Sequence, residues 1–514
     1  MTKKKKAIVS TIIFIIFFNI GTKFLGFYRD ALIGRQLGAE LETDAYLMSL
    51  SATTLIFLSI GTGISTTLIP IISKIEDKEY RRKIINNILN FILLVSLGIA
   101  VVYFLGSDII VSIVAGGFTG EKFDLTVSLT KILIPTVFFI NIAYVFVGIL
   151  QSNEKFLLPT LISLPYNIII IIYLFVGAEK YGVEGLAIIT TIGWLLQLLV
   201  QVPTIIKLKE IKYSFKIDFK GEELQRFIKG LLPVVFVVAT NQLATVTDNS
   251  FISHFGDGKP AAFYYANMLY VAVATIIVFG ITSVMFPKFN KNYMENKASF
   301  YETITTVLEG VVLLLVPVGI GIAVVSKEFI SLIFLSDEFT MDSVILTANF
   351  LKAYGMFMVT FGILDIINKA YYTKDNRKTP VIISASILII NLVLNYVLIK
   401  ALNVGIYGVI ISTGIAFYIG VFISLYLFKS EEGNINYKSF LTTCVKSVVA
   451  VVVMYVAITL IQNFLYSVID VNDFLSRLIF LCVSAIGGVA IYFGVLILLK
   501  EKTIIRNIKN LLKK

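Results

Sequence analysis

Residues 7–38 read AIVSTIIFIIFFNIGTKFLGFYRDALIGRQLG. The first half of this stretch is an apolar run. It continues without a loop through Lys23, Arg29 and Asp30. A charge at the centre of a membrane helix costs about 2.5–3.5 kcal/mol even on insertion scales. A simple anchor would not carry three. Either these groups snorkel to the interface, or they line a wet cavity that binds something charged.

The rest of the chain resembles this stretch in composition. Of 514 residues, 57% are hydrophobic and only 15% charged, with mean hydropathy +0.89. Apolar runs recur from end to end, each near the ~20 residues that cross a bilayer. Their continuity excludes a β-barrel, whose strands alternate. The expected class is an all-α polytopic membrane protein without room for a soluble catalytic domain. Four lysines at 3–6 precede an apolar run, as in a signal peptide. No small-residue cleavage site follows Ile20, so an uncleaved first span is expected. Cys444 and Cys482 both fall in late spans and are expected to pack or face lipid. A single histidine, His254, leaves no histidine-based metal site or acid–base machinery.

Fourteen transmembrane helices are expected, at 7–34, 44–72, 87–114, 125–150, 157–177, 183–206, 228–254, 261–287, 303–325, 345–371, 379–399, 405–428, 439–464 and 475–499. With the N-terminus inside, the inner segments hold roughly five times as many Lys and Arg as the outer ones. An even span number then places both termini in the cytoplasm. The net charge of +11 is therefore topological and can attract anionic lipid. Nucleic acid need not be invoked.

The chain also repeats itself at an offset of about 220 residues. Leu37-Gly38-Ala39 opens a polar loop before a span that ends near Pro70. Phe255-Gly256-Asp257 does the same before a span that ends near Pro287. Gln151 precedes Pro159 as Tyr372 precedes Pro380, and Gly182-Val183-Glu184-Gly185 matches Gly405-Ile406-Tyr407-Gly408. Six spans per repeat give parallel repeats, an architecture that works by alternating access at the interface of two bundles. The expected division is an N-terminal six-helix bundle over 1–206, a basic cytoplasmic linker over 207–229 and a C-terminal six-helix bundle over 230–428. Two extra helices and a basic tail occupy 429–514. Phe215, Ile217 and Phe219 alternate with charges in the linker, which suits a surface-lying segment.

Fourteen spans, two halves, the motif Lys23-Phe-Leu-Gly-Phe-Tyr-Arg-Asp30, then Leu-Gly-Ala39 and Thr43-Asp-Ala-Tyr46, resemble the lipid II flippase family (MurJ/MviN) of the MOP exporter superfamily. The resemblance covers essentially the whole chain. It implies a flippase of the bacterial cytoplasmic membrane, not an enzyme. The cargo would be an undecaprenyl-pyrophosphate-linked glycan, moved from the inner to the outer leaflet. By position, Lys23 replaces one family arginine and Arg29 matches a second, so both are implied to contact the pyrophosphate. Asp30 and Asp44 match family carboxylates. The last two spans resemble the pair proposed to hold the polyprenyl tail. The sequence departs from the family in two places. The second span offers only Leu55, Ile56 and Phe57 where the family has an arginine, and the eighth offers Tyr264 to Val271 without charge. A capsular or other repeat unit, carried as by Wzx-type flippases, is thus an alternative cargo.

A pyrophosphate calls for cations with several donors, which Lys23 and Arg29 supply. Arg29 beside Asp30 can equally be a structural pair. Asn167 is a further candidate for the cavity wall. A second constellation joins Asp248 with Asn391 and Asn395, one helical turn apart, and with Val409 and Thr413, also one turn apart. One carboxylate with amide, hydroxyl and backbone oxygens suits a hard cation, and the low ligand charge favours Na⁺. The family resemblance supports that site. A helix–helix hydrogen-bond cluster is the competing reading. Asp365 and Lys369 read as a structural pair. No cofactor is expected beyond this coupling ion or the membrane potential. The expected partners are the lipid-linked glycan and membrane lipids, with the chain a monomer. A MATE-type drug antiporter shares the architecture, but it lacks the two extra spans. A membrane glycan polymerase would need an acidic metal site or a large external loop.

Overall fold

The computed structural model describes residues 3–428, 434–468, 470–471 and 473–505; within these, the side chains of 3–17, 19, 20, 55, 56, 237, 241, 283, 284 and 287 lie outside the description. Every regular element among the described residues is helical. Hydrocarbon offers no partner for a free N–H or C=O, so a spanning chain closes its hydrogen bonds within itself. Thirteen segments among the described residues are long and apolar enough to cross a membrane. The apolar half of the first expected span lies on side chains outside the description, but its backbone is one helix.

The chain forms two compact units, Met1–Ala261 and Ala262–Lys514. The first holds α1 (Lys3–Leu37), α2 (Leu41–Ile72), α3 (Lys78–Leu105), α4 (Ser107–Val114), α5 (Gly120–Leu133) and α6 (Thr136–Ser152). It continues with α7 (Leu157–Leu161), α8 (Leu164–Val176), α9 (Ala178–Leu199), α10 (Val202–Leu208), α11 (Glu222–Ile252) and the first residues of α12 (Lys259–Glu295). The second holds the rest of α12, then α13 (Lys297–Phe334), α14 (Met341–Thr373), α15 (Lys378–Asn395), α16 (Tyr407–Leu427), α17 (Tyr437–Val468) and α18 (Phe474–Leu498).

Four spans expected as single helices are broken, and glycine or proline marks each break. Gly106 separates α3 from α4, and Pro135 separates α5 from α6. Pro165 opens α8 and Pro203 opens α10. Proline lacks the N–H and its ring clashes with the preceding turn. Inside α9, Gly182 takes φ +49°, and its carbonyl accepts from Tyr173 Oη at 2.7 Å. Three helix starts carry side-chain caps that satisfy orphan first-turn amides. Asp77 Oδ1 accepts from Glu79 N, Asn296 Oδ1 from Ala298 N, and Asp473 Oδ2 from Ser476 N.

In the first unit, α2 is central, lying against α4, α5, α6 and α11. Its Ile64, Leu68 and Ile72 are fully buried beside Ile85 and Ile88 of α3, Ile149 and Leu150 of α6, and Phe227 of α11. In the second unit, α13 runs along α14 and also receives α17 and α18. Leu313 packs there with Ala450, Met454, Ile458, Tyr492 and Leu496. Buried polar contacts secure the same junction. Ser447 Oγ meets Tyr492 Oη at 2.7 Å, and Glu309 accepts from Ser439 Oγ (2.6 Å) and Thr503 Oγ1 (2.9 Å). Tyr466 Oη donates to Glu328 Oε1 further along.

The α13–α14 pair is built on a glycine contact. A Cβ at Gly319 would stand 2.2 Å from the Gly355 carbonyl oxygen, and one at Gly355 would stand 2.3 Å from that of Gly319. Small residues let helix backbones approach where lipid supplies no hydrophobic drive. Gly321, two residues on, faces open space. Gly355→Val is therefore expected to destabilise the protein by about 1–3 kcal/mol through overpacking, while Gly321→Val leaves thermal unfolding in detergent near the parent value. Equal melting of the two variants would refute the close contact.

Candidate functional site

The charges of α1 do not stand alone. Arg29 reaches Asp30 Oδ1 through Nε (2.9 Å) and Nη2 (2.6 Å). Its Nη1 donates to Asn167 Oδ1 of α8 at 2.9 Å. The guanidinium carbon lies 5.0 Å from the centroid of the Tyr166 ring, a cation–π distance. Tyr166 in turn packs on Trp194 of α9, and Tyr46 Oη meets Thr190 Oγ1 at 2.8 Å on the same helix. Asn167 anchors its amide nitrogen on the Ser163 carbonyl at 3.0 Å, which aims its oxygen at Arg29. The Arg29 and Asp30 side chains are 14% and 12% exposed. The structure thus brings together three expected residues, Arg29, Asp30 and Asn167, as a clasp of α1 on α8.

Lys23 stands elsewhere. Six residues correspond to roughly 240° around a helix, so Lys23 and Arg29 occupy different faces of a continuous α1. Lys23 is exposed, and Arg29 is half-buried. Both would meet one headgroup only if α1 bent between them. Gly26 is the glycine between them, and the Asn167 amide alone would lie within 4 Å of a Cβ there.

Asp44 forms a second centre in the same unit. Its side chain is fully buried at the start of α2. Oδ2 accepts from Lys122 Nζ (2.7 Å) and Gly258 N (2.8 Å), and Oδ1 accepts from Ala261 N (2.7 Å). The carboxylate thereby caps α12 from another helix, placing negative charge at the positive end of its dipole. Lys122, at the start of α5, is buried and also pairs with exposed Asp257 at 2.8 Å. Read from sequence, Lys122 is only an external-loop charge; its neighbouring Gly120 turn is the one hint that it folds inward. Backbone geometry makes room for this centre. Gly258 has φ +74°, and a Cβ there would lie 2.1 Å from the Ala39 carbonyl. The two loops that the repeat pairs in sequence, at 37–39 and 255–258, therefore touch.

In the second unit, Asn391, Asn395, Val409 and Thr413 gather between α15 and α16. Asn391 Nδ2 donates to Thr413 Oγ1 (2.9 Å), and Asn395 Nδ2 donates to Asn391 Oδ1 (3.2 Å). The Val409 carbonyl accepts from Thr413 Oγ1 (3.0 Å) and Ser412 Oγ (2.7 Å). Ser412 also donates to Asn395 Oδ1. Ser412 was not legible as a member, because it sits off the one-turn spacing that picks out Val409 and Thr413. Directly after Asn395 the chain widens into a π-turn, Tyr396–Ala401, a distortion common at functional sites. Asp248 is buried on α11 in the first unit, beside Asn249, whose Nδ2 donates to Ser51 Oγ at 3.0 Å. Asp365 and Lys369 pair at 2.6 Å on α14. Cys444 and Cys482 are free thiols.

A family model described as lipid II flippase MurJ matches residues 33–480. A probable lipid II flippase MurJ of Buchnera aphidicola subsp. Schizaphis graminum is 28% identical over 441 residues, covering 84% of this chain and 85% of that protein. The lipid II flippase MurJ of Burkholderia cenocepacia is 25% identical over 410 residues, covering 77% and 79%. Among solved structures, a lipid II flippase MurJ in an inward closed conformation superposes with TM-score 0.80 at 24% identity, covering 94% of this chain and 98% of that one. An inward-facing multidrug resistance MATE transporter of the MOP superfamily gives TM-score 0.65 at 14% identity, covering 79% and 93%. The structural likenesses show a shared fold.

Removing one partner of a buried ion pair leaves the other uncompensated, at a cost of about 3–5 kcal/mol. Asp44→Ala is expected to lower stability by this order, since it also strips the cap from α12. Lys122→Met should cost less, because Asp44 keeps two backbone donors. The double variant should recover part of the single loss, the signature of coupled neighbours. Thermal unfolding of the purified protein checks all three, and additive effects would show that the pair is not coupled.

Proposed function

On the premise that the chain belongs to the lipid II flippase MurJ family, we propose that it moves lipid II, an undecaprenyl-pyrophosphate-linked peptidoglycan precursor, between leaflets. The family match over residues 33–480 carries this reading. It makes the protein a transporter, a multi-pass component of the bacterial inner membrane. Relatives named as lipid II flippases favour that cargo over a capsular repeat unit or a drug.

Transport breaks no bonds, so the protein's task is to give a diphosphate a polar route while the polyprenyl tail stays in hydrocarbon. Arg29 suits the first role. Its planar fork is pre-positioned by Asp30, Asn167 and Tyr166, so little rotamer entropy is lost when a phosphate oxygen replaces one carboxylate contact. Lys23 meets the same headgroup when α1 bends at Gly26. Asp30 holds the arginine when no headgroup is present, and Asp44 keeps α2, α5 and the start of α12 in register. Movement follows alternating access by the two six-helix halves, with both termini cytoplasmic, the chain acting as a monomer and α17–α18 carrying the tail.

The energy source in this reading is Na⁺, held by the oxygens of Asn391, Asn395, Val409 and Thr413. All are hard donors of the kind a monovalent cation takes. The π-turn directly after Asn395 supports it, since such distortions recur at functional sites.

Arg29→Ala is expected to lower lipid II translocation in proteoliposomes at least about 30-fold, equivalent to ~2 kcal/mol, with membrane insertion unchanged. Arg29→Lys should restore only part of it, because the fork is lost. Full translocation by Arg29→Ala would remove this residue from the route. Asn391→Leu should abolish stabilisation by Na⁺ over K⁺ in thermal unfolding, and persistence of that difference would place the ion elsewhere.

A further inference from the structure

The segment between α10 and α11 is held in an unusual way. α3 presents Asn86, Asn87 and Asn90 along one side. Asn86 Nδ2 donates to the Ser214 carbonyl (2.5 Å), and Asn86 Oδ1 accepts from Ser214 N (3.1 Å). Asn87 does the same for Asp218, donating to its carbonyl (3.1 Å) and accepting from its N–H (2.8 Å). Asn90 Nδ2 bridges the carbonyls of Ser214 (2.7 Å) and Lys216 (3.1 Å). Arg82 Nε adds the Lys209 carbonyl at 2.7 Å. Each asparagine amide thus pairs with main chain much as a neighbouring strand would. Ile211 and Ile217 pack inward on the first unit's core.

Main-chain capture leaves the other side chains outward. Tyr213, Phe215 and Phe219 are 59%, 83% and 51% exposed, and Lys212, Lys216 and Lys220, each next to one of them in sequence, are exposed too. Three large aromatics would not stand in water without cause, since contiguous exposed apolar patches mark interaction sites. Their depth identifies the neighbour. The charged start of α3 ends at Lys83, and the apolar run begins at Ile84. Asn86 to Asn90 therefore sit about 3–9 Å into that run, which is the ~5–10 Å depth of interfacial elements at the headgroup–acyl boundary. Aromatics favour that boundary, and lysines there are drawn to an anionic leaflet.

We infer that the 209–220 strap is a binding surface for anionic lipid headgroups, with Tyr213, Phe215 and Phe219 wedged among acyl chains and Lys212, Lys216 and Lys220 on the phosphates. The inference deepens the flippase reading only in placing the strap on the cytoplasmic leaflet. It rests on neither cargo nor coupling ion. A second protein docked on the strap is the competing occupant.

The test uses the full chain in symmetric vesicles, with Phe215→Trp introduced into a Trp194→Phe background so that the strap carries the only indole. Brominated phosphatidylglycerol is expected to quench its fluorescence and shift its emission to the blue. Brominated phosphatidylcholine should quench it less. The triple change Lys212→Gln, Lys216→Gln, Lys220→Gln should erase the difference between the two lipids without altering thermal unfolding. Absence of quenching in both lipids would overturn the inference and favour a protein partner. Equal quenching in both, unaffected by the lysine changes, would overturn the anionic specificity. Translocation of lipid II is read separately, so failure of the strap and failure of the flippase reading are distinguishable.

Discussion

Hydrocarbon solvates no polar group, and the arrangement of side chains in both units follows from that one constraint. A polar residue placed inside a span is costly unless it finds a partner there. Asn141 finds Ser96 at 2.9 Å, Asn249 finds Ser51 at 3.0 Å, and Thr191 finds the Ile132 carbonyl at 3.0 Å. The charged residues obey the same rule at higher stakes. Arg29 is met by a carboxylate, an amide and an aromatic face, and Asp44 by one ammonium and two backbone amides. These contacts make specific helix neighbours out of helices whose apolar faces would be equally content in lipid.

The same constraint explains what could be read from the chain. Backbone closure forces helices wherever the apolar runs lie, so the fold class follows from hydropathy. Punctuation was legible only in part. Pro135 and Pro203 sit inside expected spans and do split them, but so do Pro70, Pro233 and Pro317 without ending their helices. Neighbouring helices decide which proline breaks are tolerated, and sequence carries no neighbour. Candidate residues were recognisable because charge and amide groups are rare in such surroundings. Their partners were not, since Asn167 is 138 residues from Arg29 and Gly258 is 214 from Asp44. Lys122 illustrates the limit: its charge is visible, but its burial depends on a glycine turn laid against a distant loop. The separation of Lys23 from Arg29 was, by contrast, implicit in their spacing once α1 is continuous.

The last two spanning helices are fitted by the same means as the rest. α17 and α18 grip α13 through a dry seam around Met454 and Tyr492, with buried polar links at Glu309 and Glu501. Glu501 accepts from Thr443 at 3.0 Å and pairs with Lys446 at 3.2 Å. Carboxylates at that depth hold only while all their donors stay in place. The pair is thus attached as firmly as a member of the unit, although the outward faces of Val445, Val449, Val452 and Val456 remain bare to lipid.

The backbone contact between Gly319 and Gly355 carries a mechanical consequence. Two helices that meet carbonyl against Cα have no side-chain cushion between them, so neither can slide without a backbone collision. α13 and α14 must travel as a single strut, and α17 and α18, fastened to α13, ride with them. A change of state in this protein would accordingly leave the Gly319–Gly355 contact intact rather than rearrange within the strut.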